Sequence, residues 1–457
     1  MHDLRDILEK AQVKDGATLS FHHHLRNGDD VMRQVLTACS AAGLRDLHIA
    51  PSSLFPCHAT LIPFLENGTV TRITTSYMTG PLADAVRSGL LPHPVRLQSH
   101  GGRAAAIASG RLPIDAAFIA APAVDTAGNL TGATGPAACG PLGYPMVDAA
   151  HARHVIALTD HVTTNLPRIC IPADQVDAII ETDHIGDASQ IASGTTGRAP
   201  SPKGQAIADL TAQLIACSGL LQDGFRFQTG AGATSLAVAH ALAPIMREHS
   251  VTGAFAAGGI TGALVEMFRA GLFHGLRDVQ AFDLPAVRSY AEDPDHLPMS
   301  AGTYASPDRP DSIARQLDVM ILGAAEVDMN FNVNVTCASD GRIIGGSGGH
   351  ADTAAGATLP IVTTQLAAGG FPKLVRNLTC LTTPGATIGA VVTEAGIAIH
   401  PSRPDLAQRA RRAGLPDDLR RKADTETVPP ENARGTGKLV ALCEAPNGDV
   451  IDEIHAP

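Results

Sequence analysis

Short apolar runs alternate with amphipathic segments through most of this chain. Residues 17–21, 47–50, 70–75, 95–97, 116–120 and 155–159 are compact runs of apolar, often β-branched or small residues bounded by turn formers. Runs of that length and make-up predict buried strands. Between them, residues 31–42 carry Val31, Val35, Leu36 and Ala38 at helical spacing, and Gly43 is placed to end the helix. Residues 81–87 form a second helical segment, and residues 3–12 a short one at the start. Strands alternating with helices predict an α/β fold with mainly parallel sheets covered on both faces.

The pattern then repeats. Asp15-Gly16-Ala17-Thr18-Leu19-Ser20-Phe21 recurs in type as Asp223-Gly224-Phe225-Arg226-Phe227-Gln228-Thr229. The same separation carries residues 46–50 onto 254–258. A slightly smaller one relates Asp115, Asp125 and Asn129 to Asp318, Asp328 and Asn332. This predicts a duplicated α/β domain, with chance similarity between βαβ units as the alternative. The loop composition of residues 194–202 marks the division, giving domains 1–205 and 206–457. Residues 405–413 and 417–423 are expected to be helical and carry Arg409, Arg411, Arg412, Arg420, Arg421 and Lys422. Residues 449–452 would add a last strand.

Composition narrows the function. Aromatic residues make up 4% of the chain, too few for platforms that stack single-stranded nucleic acid. The net charge of −11 without a basic stripe disfavours nucleic acid and anionic membranes as partners. No apolar run is long enough to span a bilayer, and the charged start lacks a signal-peptide core. The eight cysteines are scattered without a CxxC pair, which suits reduced thiols and a cytoplasmic protein rather than a zinc ribbon or a disulfide framework.

Four stretches carry candidate chemistry. The first, Phe21-His22-His23-His24-Leu25-Arg26-Asn27-Gly28-Asp29, follows an expected strand at its carboxyl end, where ligands bind in open α/β sheets. His22, His23, His24 and Arg26 suit a polycarboxylate substrate: arginine binds carboxylates bidentately and histidine donates or shuttles protons. Adjacent histidines on an extended chain face opposite ways, which suits a shared metal poorly. The alternative is ordinary surface polarity. The second, Ser99-His100-Gly101-Gly102-Arg103, offers His100 and Arg103, or is simply a helix start with a glycine turn. The third runs from a strand through Gly230-Ala231-Gly232 into a helix over 236–245, presenting backbone N–H groups to an anion or carbonyl oxygen. The fourth is residues 326–357. Alternation over 327–335 predicts one strand. The glycine run Gly345, Gly346, Gly348, Gly349 and His350 follows, and then a small-residue helix. Either this run presents backbone donors to a ligand, or it is a long hairpin loop with glycines for its turns.

These stretches together bring a family into view. SFHHHLRNGD, TGAGATSLAV, the glycine-rich segment 255–262, EVDMNFNVNV and GGSGGHADTAAGA resemble the citrate lyase alpha-subunit family, within the wider CoA-transferase superfamily. The resemblance spans essentially the whole chain. It implies an α/β fold of two tandem CoA-transferase-like (NagB/RpiA-like) domains with mainly parallel sheets and an interdomain active site. It also implies a reaction in which citrate replaces acetate on an acyl carrier thioester. The implied partners are the citrate lyase beta subunit and the gamma subunit, which is the acyl carrier protein, with citrate and acetyl-CoA or acetyl-ACP as small partners. CoA, or the phosphoribosyl-dephospho-CoA arm of the carrier, would be a substrate. No covalently bound cofactor and no metal are expected on this chain, since the magnesium of such a complex serves the separate lyase step.

Placed on that resemblance, His22, His23, His24, Arg26, His100 and Arg103 are expected to bind citrate. Gly348, Gly349 and His350 would act at the thioester, and Gly230, Gly232, Gly258, Gly259 and Gly346 would line the carrier arm. Many CoA transferases carry the acyl group on a glutamate at the end of a second-domain strand. The matching stretch here, residues 255–260, has no carboxylate. The implied route is therefore direct attack by citrate in a ternary complex. Glu326 is the rival nucleophile, or else a polar partner for a neighbouring strand. The basic segment 409–422 would meet an acidic carrier, or is a solvated helical face. A citramalate-specific relative, another acyl-CoA transferase or hydrolase, and a non-catalytic assembly subunit are the competing readings.

Overall fold

The computed structural model describes residues 4–192, 199–417, 419 and 434–457. The first sheet contains β1 (Thr18–Phe21), β2 (Leu47–Pro51), β3 (Val70–Thr75), β4 (Val95–Leu97), β5 (Ala116–Ala120), β6 (His154–Thr159) and β7 (Ala178–Glu181). The second contains β8 (Arg226–Thr229), β9 (Phe255–Ile260), β10 (Leu276–Ala281), β11 (His296–Pro298), β12 (Val319–Gly323), β13 (Leu359–Thr363), β14 (Ala390–Thr393) and β15 (Gly396–Ile399). Strands expected from apolar runs fall within a residue or so of these bounds, because the central strands are buried on both faces and leave little choice of register.

The two sheets have one topology. Reading from one edge, the first runs β4-β3-β2-β1-β5-β6-β7 and the second β11-β10-β9-β8-β12-β13-β14, with every pair parallel. The duplication extends to single hydrogen bonds. The N–H at the start of β1, on Thr18, donates to Asp115 at 2.9 Å, and that of Arg226 on β8 donates to Asp318 at 2.8 Å. Asp125 closes a turn on the N–H groups of Ala127 and Asn129, and Asp328 does the same for Asn330 and Asn332.

That second turn corrects one expectation. Residues 327–335 are not one strand. They form Glu326–Asp328 and Val333–Asn334, paired antiparallel, because the Asp328 side chain captures the N–H groups that would extend the ladder. Phe331 takes a positive φ of 65° in this turn.

A second difference concerns the chain's end. Residues 439–455 form the hairpin β16 (Leu439–Glu444) and β17 (Val450–His455), and β16 pairs parallel with β4. The last strand expected at 449–452 is thus longer, and it lies in the first sheet. A division at 205/206 leaves this hairpin with the first half in space, although it follows the second half in sequence. The helix expected over 405–413 is present as Pro404–Arg412. Residues 193–198 of the expected linker lie outside the described residues, as do residues 420–423 of the second basic helix. Among the described residues no helix is long and apolar enough to cross a membrane.

The halves meet at the carboxyl ends of the first sheet's strands. Helix His100–Ala108, which follows β4, is capped by Ser99 and passes close under the helix Ala301–Ala305 of the second half. A Cβ on Gly101 would lie 1.9 Å from the Ala305 carbonyl oxygen and 2.8 Å from the Asp352 carboxylate. Glycine is needed there for approach, not for an unusual φ. Gly101→Ala should therefore lower stability by about 1–3 kcal/mol, since backbone must shift. Gly323→Ala, which meets nothing within 4 Å, should be neutral. Thermal unfolding of the two variants tests this, and equal midpoints would contradict the packing argument.

Candidate active site

A glycine segment of the second half is stitched onto the first half by backbone alone. The N–H of Met78 donates to Gly345 O at 3.2 Å, the N–H of Gly348 to Ser76 O at 3.0 Å, and the N–H of His100 to Gly348 O at 2.8 Å. Side chains would prevent this. A Cβ on Gly346 would lie 2.4 Å from the Ser76 carbonyl oxygen, and Gly348 takes a φ of 51°. One carboxylate reinforces the seam. Asp352 accepts from Ser99 Oγ at 2.6 Å and from the Gly101 N–H at 2.8 Å, so a second-half acid caps a first-half helix.

Behind the seam lie the histidines. His22, His23 and His24 are 5%, 4% and 3% exposed, so the cluster is shut from solvent. The rings of His23 and His100 are 5.5 Å apart, and Tyr144 packs 4.6 Å from each and 5.8 Å from His24. His23 Nδ1 meets Ser52 Oγ at 2.6 Å. Burial, then the neighbouring His100, holds His23 well below the usual imidazole range. Burial likewise holds His24 low, and it brings His100 to about 3, with Arg103 adding to it. His23, His24 and His100 are therefore neutral at pH 7. Three ring nitrogens within it, His22 Nδ1, His24 Nε2 and His100 Nδ1, are buried without a protein partner. Buried polar atoms left so are costly unless something else meets them.

Arg26 closes the cluster. Its guanidinium lies over Phe55 of the first half and Phe282 of the second, at 5.2 and 4.9 Å. Burial lowers its pKa.

Arg103 has a different place from the one expected. It is 2% exposed and donates to both oxygens of Asp148, to Ser20 Oγ and to Ala50 O. Asp148 also takes His22 Nε2 at 3.0 Å. Burial would raise the Asp148 carboxyl, but Arg103 and His22 outweigh it and hold it below the carboxylate range. Arg103 is thus the counter-ion of a buried carboxylate that orients His22, with its donors directed inward.

The glycines divide as well. The N–H of Gly348 serves Ser76, as above, and that of Gly230 serves Ile321 O at 2.8 Å. The N–H groups of Ala231, Gly232 and Gly349 are left as candidates to meet an oxyanion. A Cβ on Gly232, at the start of the helix Ala233–Glu248, would meet nothing within 4 Å. Gly258 and Gly259 make room for the side chains of Gln228 and Phe282. His350 Nδ1 meets Thr383 Oγ1 at 2.8 Å and its Nε2 meets Gly323 O at 2.9 Å, so both ring nitrogens are engaged. Burial lowers its pKa to about 4.

Glu326 is buried and takes four donors, from Asn334, Ser339 and both the N–H and the hydroxyl of Thr379, all within 3.0 Å. A carboxylate so saturated is a poor nucleophile. Among the described residues no group of three or more His, Cys, Asp or Glu side chains is placed to hold a metal ion.

Four residues join the site that sequence patterns did not mark. Tyr144 wedges the imidazoles, and Tyr304 accepts from Gln228 Nε2 at 2.7 Å beside Gly349. Gln280 donates across the halves to the His23 carbonyl at 2.9 Å, and Asp352 ties the seam. Of the four only Asp352 lies in a quoted motif, just after the glycines, where nothing marked it as a seam residue. Only the duplication carried a signal, since Gln228 and Gln280 stand on strands that mirror β1 and β3.

The chain matches the family model for "Citrate lyase, alpha subunit (CitF)" over residues 1–456. It is 42% identical over 462 residues to the citrate lyase alpha chain of Escherichia coli K12, covering 99% of this chain and 90% of that one. Its fold is that of a Streptococcus mutans structure described as a citrate lyase alpha subunit in complex with citrate. The TM-score is 0.96 and the identity 41%, covering 100% of this chain and 91% of that one. The fold also extends, at 17% identity and a TM-score of 0.68, to a Pseudomonas malonate decarboxylase hetero-tetramer, covering 92% of this chain and 89% of that one.

The buried Asp352 makes the seam sensitive to pH. Burial raises its carboxyl to about 7, against the opposing bonds from Ser99 and Gly101. In the unfolded chain the same group releases its proton near about 3.9. The folded state therefore holds the extra proton between about pH 4 and 7, and stability falls as pH rises through that window. Asp352→Asn mimics the neutral acid. Its urea midpoint, measured against the unsubstituted chain, should gain progressively from pH 5 to pH 8. A difference independent of pH would contradict this.

Proposed function

The chain belongs to the citrate lyase alpha-subunit family, and from that premise we propose how its seam performs the family's acyl exchange. It is a transferase acting on citrate, within a multisubunit complex. The finer reading is that citrate enters the imidazole cluster of the first half. The acyl thioester, carried on the phosphoribosyl-dephospho-CoA arm of a gamma subunit or on CoA, would lie along the glycine segment and the start of helix Ala233–Glu248. A beta subunit would then cleave the citryl thioester.

The covalent steps balance without an enzyme nucleophile. A citrate carboxylate oxygen attacks the acetyl carbonyl carbon, the C–S bond breaks, and the thiolate leaves. The thiolate then attacks the citryl carbonyl of the resulting mixed anhydride. The bond between the citryl carbonyl carbon and the bridging oxygen breaks, and acetate departs carrying that oxygen from citrate.

One observation carries this reading: the buried carboxylates in and beside the seam are already committed. Asp148 holds Arg103 and His22, Asp278 holds His296, Glu326 takes four donors, and Asp352 caps a helix. Strand β9, where a glutamate nucleophile would stand, carries Gly258 and Gly259 instead. The rate then comes from holding two substrates together, for which about 7–11 kcal/mol is available in well-aligned cases. Backbone donors at the oxyanion add to it, about 2.7–4 kcal/mol for each one whose removal has been measured.

The cluster being closed, citrate entry requires Arg26 to leave its stack between Phe55 and Phe282. A carboxylate meeting Arg26 offsets that loss with a charge-assisted bond.

Two measurements test the proposal. Labelled acetate should not exchange into acetyl-CoA when citrate is absent; exchange without citrate would establish a covalent acyl-enzyme. Arg26→Ala should raise the citrate KM about 10- to 100-fold, the worth of a hydrogen bond to a charged group, with the acetyl-CoA KM nearly unchanged. An unchanged citrate KM would remove Arg26 from the citrate side.

A further inference from the structure

The geometry points to Gln280 as the residue that recognises the substrate's hydroxyl group, and so as the residue that selects hydroxy-tricarboxylates over plain tricarboxylates. This rests on the proposed placement of citrate in the histidine cluster.

Gln280 is fully buried on β10 of the second half, yet its side chain reaches the first half. Its Nε2 donates to the His23 carbonyl at 2.9 Å. A carbonyl can only accept, so the orientation of this amide is fixed by chemistry. The Gln280 Oε1 is therefore an acceptor, and it is buried without a protein partner. Its sister Gln228 also has an orphaned Oε1, but its amide is turned to Tyr304 beside Gly349. Gln228 thus belongs to the glycine side, and Gln280 to the histidine side.

An orphaned acceptor restricts what can lie against it. The three carboxylates of citrate are ionised at neutral pH and only accept. They suit the imidazole nitrogens and Arg26, and would be repelled by an amide oxygen. Citrate's one donor is its hydroxyl. That group alone can satisfy Gln280 Oε1, and its donation places the carbon skeleton in one orientation relative to His23. A substrate without the hydroxyl would leave a buried acceptor unpaired, the situation in which sites built for a substrate OH reject the analogue lacking it by factors near about 10⁴.

The experiment compares citrate with propane-1,2,3-tricarboxylate, which differs only by the hydroxyl. The full chain is supplied with acetyl-CoA, and kcat/KM is read from acetate release for each acid. The unsubstituted protein should favour citrate by about 10³- to 10⁵-fold. Gln280→Met, of similar length and without the acceptor, should compress that ratio at least about tenfold by lowering citrate turnover more than that of the analogue. A merely structural Gln280 would lower both acids equally and leave the ratio intact, which would overturn the inference. If Gln280→Met does not fold, a structure of the unsubstituted chain with citrate decides. The hydroxyl within about 3.2 Å of Oε1 supports the inference, and a water or a carboxylate there overturns it. Failure of the unsubstituted chain to release acetate with citrate would instead refute the functional reading beneath it.

Discussion

Everything at this site depends on a backbone-to-backbone seam between two halves of one fold. Three hydrogen bonds, from Met78 to Gly345, from Gly348 to Ser76 and from His100 to Gly348, lay a second-half segment along the first half's strand ends. Such bonds form only where no side chain intervenes, and this accounts for the density of glycine in residues 345–349. It also alters what the glycines mean. A run that looks designed to offer N–H groups to a ligand has engaged one of the central ones in holding the two halves together. On the proposed reading, that attachment positions the reacting groups and leaves the neighbouring N–H groups as donors for chemistry.

The seam explains why so many polar groups can be buried beside it. Asp352, Asp148 and Gln280 each bind across a boundary between elements, and each leaves a neighbour oriented. Asp148 turns His22, Gln280 holds the His23 backbone, and Asp352 fixes the start of the helix that bears His100 and Arg103. The imidazoles of His23, His24 and His100, packed on Tyr144, are neutral while unliganded. A polyanion brought among them finds donors already placed, with little reorganisation at the moment of reaction.

Much of the fold was legible because parallel strands buried on both faces read as apolar runs, and because the two copies keep Asp115 and Asp318, and Asp125 and Asp328, in equivalent roles. The C-terminal hairpin was assigned to the wrong half in space because pairing of β16 with β4 is non-local and leaves no trace in either segment. The strand expected over 327–335 failed where the Asp328 side chain competes with the ladder. The histidine and glycine motifs lie side by side across the halves, a proximity that the family resemblance implied and their spacing did not. Arg103 looked like a ligand because its buried counter-ion, Asp148, stands 45 residues away with nothing in the pattern to announce it. Gln280 and Tyr144 were invisible for the same reason: the residues they touch stand far away in the sequence.

The central claim is that citrate itself, and not an enzyme carboxylate, attacks the thioester in this seam. A single turnover with carboxylate oxygens of citrate labelled as oxygen-18, enzyme in excess over acetyl-CoA, tests it most directly. Direct attack by citrate gives released acetate that carries one labelled oxygen. Unlabelled acetate, with the heavy oxygen left in a glutamate or aspartate of the protein, would contradict it.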